Sequence, residues 1–162
     1  MTNGIRATVF RTILAAGLLL AATPGVARAQ YNAAARLTGT WDVTLTVRNC
    51  ATGEPVTTIK ELATFSRGGT MIASTAGLAP AAKTPGHGAW RHLTGLSYAY
   101  SFKFFRFDPA TGALAGWTII RQEALVNASG DDYTSEGGAE FYNTAGVQVG
   151  SACSTISATR FE

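Results

Sequence analysis

Apolar and polar residues alternate along most of the chain with a period of two, which is the spacing of a strand with one buried face. Beyond the first thirty residues, no segment carries a long apolar pattern at helical spacing, and only residues 31–36, with three alanines, favour a helical turn. The alternating runs predict eight strands, near residues 37–48, 57–65, 70–74, 88–93, 98–108, 114–127, 133–143 and 147–161. The pattern therefore predicts an all-β fold.

The links between these runs are mostly short and rich in glycine, asparagine and aspartate, which suit tight turns. Only the link 76–86 is long, and it is rich in alanine and proline. Short links make consecutive strands pair antiparallel, as a meander. An open meander leaves two edges that invite pairing with other chains, whereas an up-and-down barrel has none. The pattern therefore favours an eight-stranded antiparallel up-and-down barrel, closed by pairing of the first and last strands.

The first and last strands offer an internal test of this closure. In an antiparallel pair, the residue numbers of opposed positions have a constant sum. Trp41 and Arg160 give 201, and Cys50 and Cys153 give 203. The two sums differ by two, which means that if one pair is directly opposed, the other pair consists of diagonal neighbours. Long side chains can bridge that distance. One register therefore joins the cysteines by a disulfide on the outer face and sets Arg160 beside Trp41 on the inner face. The alternative is two unrelated buried thiols.

The N-terminus has the three-part layout of a secretory signal peptide. Arg6 and Arg11 lie in an acid-free start, and residues 13–22 form an apolar run. Ala27 and Ala29 are the small residues that a signal peptidase reads. We expect cleavage after Ala29, with a cut after Ala27 as the alternative. The apolar run is shorter than the roughly 20 residues that span a membrane, so we expect no transmembrane segment after cleavage.

Export changes both the compartment and the charge that we expect. Residues 1–29 are then the signal peptide, and residues 30–162 form one barrel domain in the periplasm or outside the cell, where a disulfide can persist. Removing the signal takes away Arg6, Arg11 and Arg28, so thirteen basic residues become ten beside ten acidic ones. The net charge falls to about zero, and we expect no nucleic acid as a partner.

A family resemblance rests on the same two strands. Gly39-Thr40-Trp41 resembles the Gly-X-Trp signature of lipocalins and their calycin relatives, and Arg160 matches the late arginine that packs across that tryptophan. The whole chain resembles small exported bacterial proteins with lipocalin-like barrels. The resemblance implies structural roles for Trp41 and Arg160. The Thr-Asp-Tyr run of lipocalins is missing from the middle of the chain. The resemblance therefore implies either a lipocalin-like barrel or an allene-oxide-cyclase-like barrel.

Aromatic residues are concentrated on the fifth predicted strand and its two neighbours. If this stripe faces inward, it lines an apolar cavity, because eight strands leave an interior wide enough for one small ligand. The alternative is that the rings simply fill the core. The candidate ligand-binding residues are Trp90, Tyr98, Tyr100, Phe102, Phe104 and Trp117.

The sequence contains no catalytic signature: a Gly-X-Ser-X-Gly elbow, a phosphate-binding glycine loop and a dinucleotide fingerprint are all missing. Glu61 and Glu123 are the candidates for an acid or base, because each lies in phase with apolar residues and burial raises the pKa of a carboxyl group. The alternative is that these strands bury their other face, or that Glu123 pairs with an arginine. His87 and His92 are five residues apart and point to opposite faces, so we expect no metal site and no cofactor.

These features lead to three functional hypotheses. The first is an exported barrel that binds a small hydrophobic molecule. The second is a cyclase or isomerase of the allene-oxide-cyclase-like type that uses a buried carboxylate. The third is a structural or partner-binding barrel with a filled core. The sequence leaves the ligand and the oligomeric state open.

Overall fold

Eight antiparallel strands close into a barrel in which each strand pairs with its neighbours in the chain and the last returns to the first. The structure, a computed structural model, describes residues 36–161. The predicted signal peptide and residues 31–35 of the predicted helical turn lie outside the described residues. The strands are β1 (Gly39–Arg48), β2 (Pro55–Phe65), β3 (Thr70–Thr75), β4 (Gly86–Thr94), β5 (Ser97–Phe107), β6 (Leu114–Val126), β7 (Asp132–Tyr142) and β8 (Gln148–Arg160). The predicted all-β class and the up-and-down order are confirmed.

Four of the links begin with an asparagine or aspartate that stabilises the turn from within. The side-chain oxygen of each accepts a backbone N–H two or three residues later. Such contacts replace the ladder hydrogen bonds that the chain loses where it reverses direction. These turn residues are Asn49, Asp108, Asn127 and Asn143. The long link is different, because it contains a single 3-10 turn at Pro80–Ala82.

The pairing of β1 with β8 has the register that the sequence predicts. Trp41 opposes Arg160, and Arg48 opposes Cys153. Cys50, just beyond β1, forms a disulfide with Cys153, and their Cα atoms are 5.1 Å apart. The predicted disulfide and the predicted closure are therefore both confirmed.

Arg160 of β8 binds two other backbone segments, the one that precedes β1 and the β6–β7 link, at this end of the barrel, which we call the closed end. Its guanidinium carbon lies 4.3 Å from the centre of the Trp41 ring. The same group donates hydrogen bonds to the carbonyl oxygens of Thr38 at 2.9 Å, Arg36 at 2.8 Å and Gly130 at 2.6 Å. A charged donor with several carbonyl acceptors is among the stronger hydrogen-bonding arrangements in proteins.

The glycine of the Gly39-Thr40-Trp41 run has a steric reason to be there. Gly39 has a φ of +132°, and a Cβ atom at this position would lie 2.5 Å from Nη1 of Arg160. A side chain would therefore collide with the group that covers Trp41. The Trp41 indole N–H donates to the carbonyl oxygen of Leu37 at 2.9 Å, and both side chains are fully buried.

The interior is filled unevenly along the barrel axis. At the closed end, large rings pack edge to face, with 4.9 Å between the ring centres of Trp41 and Tyr133 and 6.3 Å between those of Phe65 and Tyr133. Towards the other end, the residues of β7 and β8 that line the interior include the small side chains Ala139, Ala152 and Ser154, with Phe141 as a larger one. We call this second region the open end.

Replacing Arg160 tests how much of the fold depends on it. We expect Arg160→Met to lower the free energy of unfolding by about 3 kcal/mol, because several carbonyl acceptors lose a charged donor and Trp41 loses its cation. Arg121→Met is the control, since Arg121 is exposed and has one surface ion pair with Glu140. Urea unfolding of the oxidised protein measures both. An equal, small loss for the two variants would contradict the assigned role of Arg160.

Candidate functional site

A cavity of about 280 Å³ lies inside the open end of the barrel. Its wall is almost entirely apolar, and its polar side chains are few. The apolar wall consists of Leu45, Val47, Ile59, Leu78, Phe102, Phe104, Ile120, Ala139, Phe141 and Ala152. Glu61, Thr75, Thr118 and Ser154 are the polar side chains that face it.

The cavity follows from the sizes of the inward side chains. The number of strands sets the width of the interior, so a region is full only where large side chains meet from several strands. Phe102 and Phe104 reach inward from β5 at the open end and Phe141 from β7, but the positions beside Phe141 are Ala139 on β7 and Ala152 on β8. Two alanines cannot fill the volume that Tyr133 fills on β7 at the closed end.

Five of the six aromatic residues predicted to bind a ligand point into the barrel and are buried. Phe102 and Phe104 line the cavity. Trp90 belongs to the closed end, where its indole N–H donates to the carbonyl oxygen of Ser66 at 2.9 Å. Tyr98 packs beside Trp90, with 6.0 Å between the ring centres. The remaining one, Tyr100, lies below the cavity and contacts Phe65 of the packed rings.

Trp117 lies on the outside of the barrel, contrary to its predicted place beside the stripe. Its ring stacks on Tyr142 with 5.8 Å between ring centres, and the ammonium group of Lys103 lies 4.3 Å above it. The inward phase of β6 is carried instead by residues such as Thr118 and Gln122, which are both buried. Trp117 therefore does not face the cavity.

Glu61 is a buried carboxyl group at the cavity wall. It lies on β2 between Val43 of β1 and Thr75 of β3, and only 3% of it is exposed. Its Oε2 atom has no hydrogen-bond partner. Burial raises the pKa of Glu61 to about 7, because the carboxylate loses its hydration, and the positive charge of Lys83 opposes this only in part.

Three titratable groups interact electrostatically with Glu61. Lys83 follows the 3-10 turn, its ammonium group lies 5.4 Å from the ring centre of Phe104, and burial lowers its pKa. Tyr100 and Tyr133 are both buried, which raises the pKa of each phenol, and a charge on Glu61 raises it further. Both phenols therefore stay protonated at neutral pH.

A chain of polar side chains crosses the interior below the cavity. The hydroxyl groups of Tyr100 and Ser135 are 3.3 Å apart, and Ser135 donates to Oε1 of Gln122 at 3.2 Å. Gln122 in turn donates to the hydroxyl oxygen of Ser154 at 2.7 Å. Of these residues, Tyr100 is a predicted ligand-binding residue, whereas Ser135, Gln122 and Ser154 were not predicted, although each is a polar residue in an inward phase. That unusual phase was the available signal.

The other predicted polar candidates lie away from the cavity. Glu123 is exposed on the outer face of β6, so of the two carboxyl candidates only Glu61 lies inside. On the same strand as Glu123, Arg121 forms an ion pair with Glu140, with 3.2 Å between the charged atoms. His87 is exposed, and Nε2 of His92 lies 2.9 Å from the carbonyl oxygen of Gly95.

The described part of the chain offers neither a membrane helix nor a metal cluster. Within residues 36–161, no helix is long and apolar enough to cross a membrane. The same residues contain no group of three or more histidine, cysteine, aspartate or glutamate side chains that could hold a metal ion. Comparison of the sequence with known protein families and with curated proteins finds no match. The cavity and Glu61 are therefore the basis for assigning a function.

Glu61 makes the stability of the fold depend on pH. The carboxyl group titrates near 4.5 in the unfolded chain and near 7 in the barrel, so between these values only the folded state keeps the proton. Unfolding then releases a proton, and the free energy of unfolding falls by about 1.4 kcal/mol per pH unit as the pH rises. We expect the ionisation of Glu61 to lower the free energy of unfolding by about 3 kcal/mol in total, and this decrease is complete above pH 7.

The matched variants are Glu61→Gln, which cannot ionise, and Glu123→Gln on the exposed outer face. Urea unfolding at pH 4 and pH 8 should show that Glu61→Gln gains about 3 kcal/mol relative to the wild type over this interval. Glu123→Gln should follow the wild type, and Lys83, Tyr100 and Tyr133 are common to all three proteins. The same pH dependence in all three would contradict a buried, protonated Glu61.

Proposed function

We propose that this protein is an exported lipocalin-like barrel that binds a small hydrophobic molecule in the cavity at the open end. The observation that carries the proposal is the apolar cavity of about 280 Å³ inside an otherwise packed barrel. Ligand pockets typically measure about 300–1,000 Å³, so this cavity suits a molecule smaller than most drugs. The Gly39-Thr40-Trp41 run and Arg160 support the lipocalin-like assignment, and the disulfide and the N-terminal sequence support export.

The long link between β3 and β4 covers part of the cavity mouth. Leu78 lines the cavity while 46% of it remains exposed, so it separates the interior from solvent. The far side of the link is fixed to β5, because the Thr84 N–H donates to the carbonyl oxygen of Phe105 at 3.0 Å. The Thr84 hydroxyl accepts the Phe105 N–H at 3.1 Å. A ligand entering from this end would therefore pass Leu78.

Filling the cavity by mutation tests the binding function. We expect the wild type to bind N-phenyl-1-naphthylamine, an uncharged apolar fluorescent probe, and Ala139→Phe to lose at least 10-fold in affinity because the new ring occupies the cavity. Ala115→Phe is the control, since it adds the same ring at an exposed position of β6. Fluorescence titration measures the dissociation constants. Equal affinity in all three proteins would place the probe outside the cavity and overturn the proposal.

A second candidate function is acid–base catalysis, in the manner of a cyclase or isomerase, by Glu61. The observation that favours it is a carboxyl group with an unpartnered Oε2 at the wall of an apolar cavity. Its pKa of about 7 makes both the acid and the base form accessible at neutral pH. In an isomerisation, Glu61 would give a proton to a substrate oxygen and recover one from carbon, so that the reaction is balanced without a cofactor.

The candidate reaction class is tested with unsaturated fatty-acid epoxides as substrates. Under this function, the wild type forms an isomerised product, and Glu61→Gln lowers the turnover number by about 100-fold or more while still binding the apolar probe. Glu123→Gln should keep full turnover. Chiral chromatography of the products measures the reaction. Absence of product with the wild type, or equal product with Glu61→Gln, would remove the catalytic function and leave the binding function standing.

A further inference from the structure

The cavity at the open end contains two polar atoms that the protein leaves unused. Oε2 of Glu61 and the hydroxyl oxygen of Thr118 are both buried and have no hydrogen-bond partner. Both residues line the cavity, one on β2 and the other on β6, which are four strands apart around the eight-stranded barrel. They therefore reach into the interior from opposite sides.

Buried polar groups without partners are rare in folded proteins, and each costs about 1–3 kcal/mol. Of the other two polar side chains at the cavity wall, Ser154 already accepts a hydrogen bond from Gln122, and Thr75 is only half-buried, so that solvent can reach it. Glu61 and Thr118 are thus the groups that a ligand could satisfy, and an entirely apolar ligand would leave both without a partner.

The charges around Glu61 limit the kind of polar group that can join it. A carboxylate on the ligand would place a second negative charge beside a buried carboxyl group, which disfavours ionisation of both. An ammonium group would meet Lys83, whose positive charge already acts on Glu61. A neutral oxygen avoids both penalties, because it exchanges hydrogen bonds with a carboxyl group and a hydroxyl group without burying a new charge.

We infer that the cavity takes an amphiphile with one neutral oxygen, an alcohol or a carbonyl compound, whose oxygen lies between Glu61 and Thr118 and whose apolar tail extends towards Leu78. The inference rests on the proposed binding function and names the chemical class of its ligand. The tail has one direction available, because the closed end is filled by the rings around Trp41 and Tyr133. The mouth at Leu78 is lined by apolar residues, Val47 and Ile59 among them.

Ligands with matched tails separate the possibilities. The compounds are 1-decanol, 2-decanone, undecane, decanoate and decylammonium, each measured at pH 6 by displacement of N-phenyl-1-naphthylamine. We expect 1-decanol and 2-decanone to bind at least 10-fold more tightly than decanoate and decylammonium. We also expect 1-decanol to bind at least as tightly as undecane, in which a methyl group replaces the hydroxyl group. Undecane is the more hydrophobic of the two and would bind more tightly if the cavity had no partner for the hydroxyl group.

Two variants locate the preference. Glu61→Leu keeps a side chain of similar size without the carboxyl group, and Thr118→Val removes the hydroxyl group with almost no change in shape. Each variant should lower the affinity for 1-decanol relative to that for undecane by about 10-fold. Thr118→Val serves alone if Glu61→Leu does not fold. Glu123→Leu, on the exposed outer face of β6, should leave every dissociation constant unchanged.

The outcomes distinguish this inference from the function on which it rests. If all five compounds displace the probe alike, or if the variants keep the wild-type preference, the neutral-oxygen site is overturned and the binding function remains. If decanoate binds most tightly, the inference is overturned in favour of a carboxylate ligand near Lys83. If the wild type binds neither the probe nor any of these compounds, the proposed function fails together with the inference.

Discussion

The pairing of β1 with β8 is the contact on which the rest of the structure depends. It converts a meander with two free edges into a closed barrel and thereby sets the width of the interior. Two different interactions hold this seam. Outside the barrel, the disulfide joins residues 103 positions apart, which is worth about 4–5 kcal/mol in the chain-entropy model. At the closed end, Arg160 covers Trp41 and binds the carbonyl groups of the segment that leads into β1.

Once the width is fixed, the sizes of the inward side chains decide which part of the barrel is solid. Rings from several strands meet at the closed end and fill it, and the polar chain from Tyr100 to Ser154 crosses the middle. Beyond this chain, Ala139 and Ala152 leave space in front of Phe102. Glu61 lies at the wall of that space, which is why its carboxyl group is both buried and without a partner for Oε2. The cavity and the unusual pKa thus have one cause.

Much of the fold could be predicted from the sequence, because strand periodicity and turn residues are local signals. The closure could be predicted as well, since the positions of Trp41, Arg160 and the two cysteines agree on one register. The strand limits differ little from those expected. β2 begins at Pro55 and β4 at Gly86, each two residues before its predicted start, because pairing with neighbouring strands extends beyond the alternating pattern.

The inner face of β6 was harder to predict. Trp117 and Leu125 are apolar but point outward, whereas Thr118 and Gln122 are polar and point inward. This inversion exists because the inward residues of β6 serve the polar chain and the cavity rather than a dry core. The alternation along β6 therefore did not show whether Glu123 points inward or outward. The apolar residues in phase with Glu61 on β2 indicated its inward direction more clearly. Lys83 could not be placed either, because its position depends on how the long link folds back onto β5.

The most direct test of the hollow open end is a crystal structure of the protein determined under xenon pressure. Xenon enters apolar cavities that are large enough to hold it, and its density identifies them without reference to any natural ligand. We predict one xenon site among Leu45, Phe102 and Ile120 and none among the rings around Trp41. An interior without bound xenon, with side chains filling the space before Ala139 and Ala152, would contradict the account.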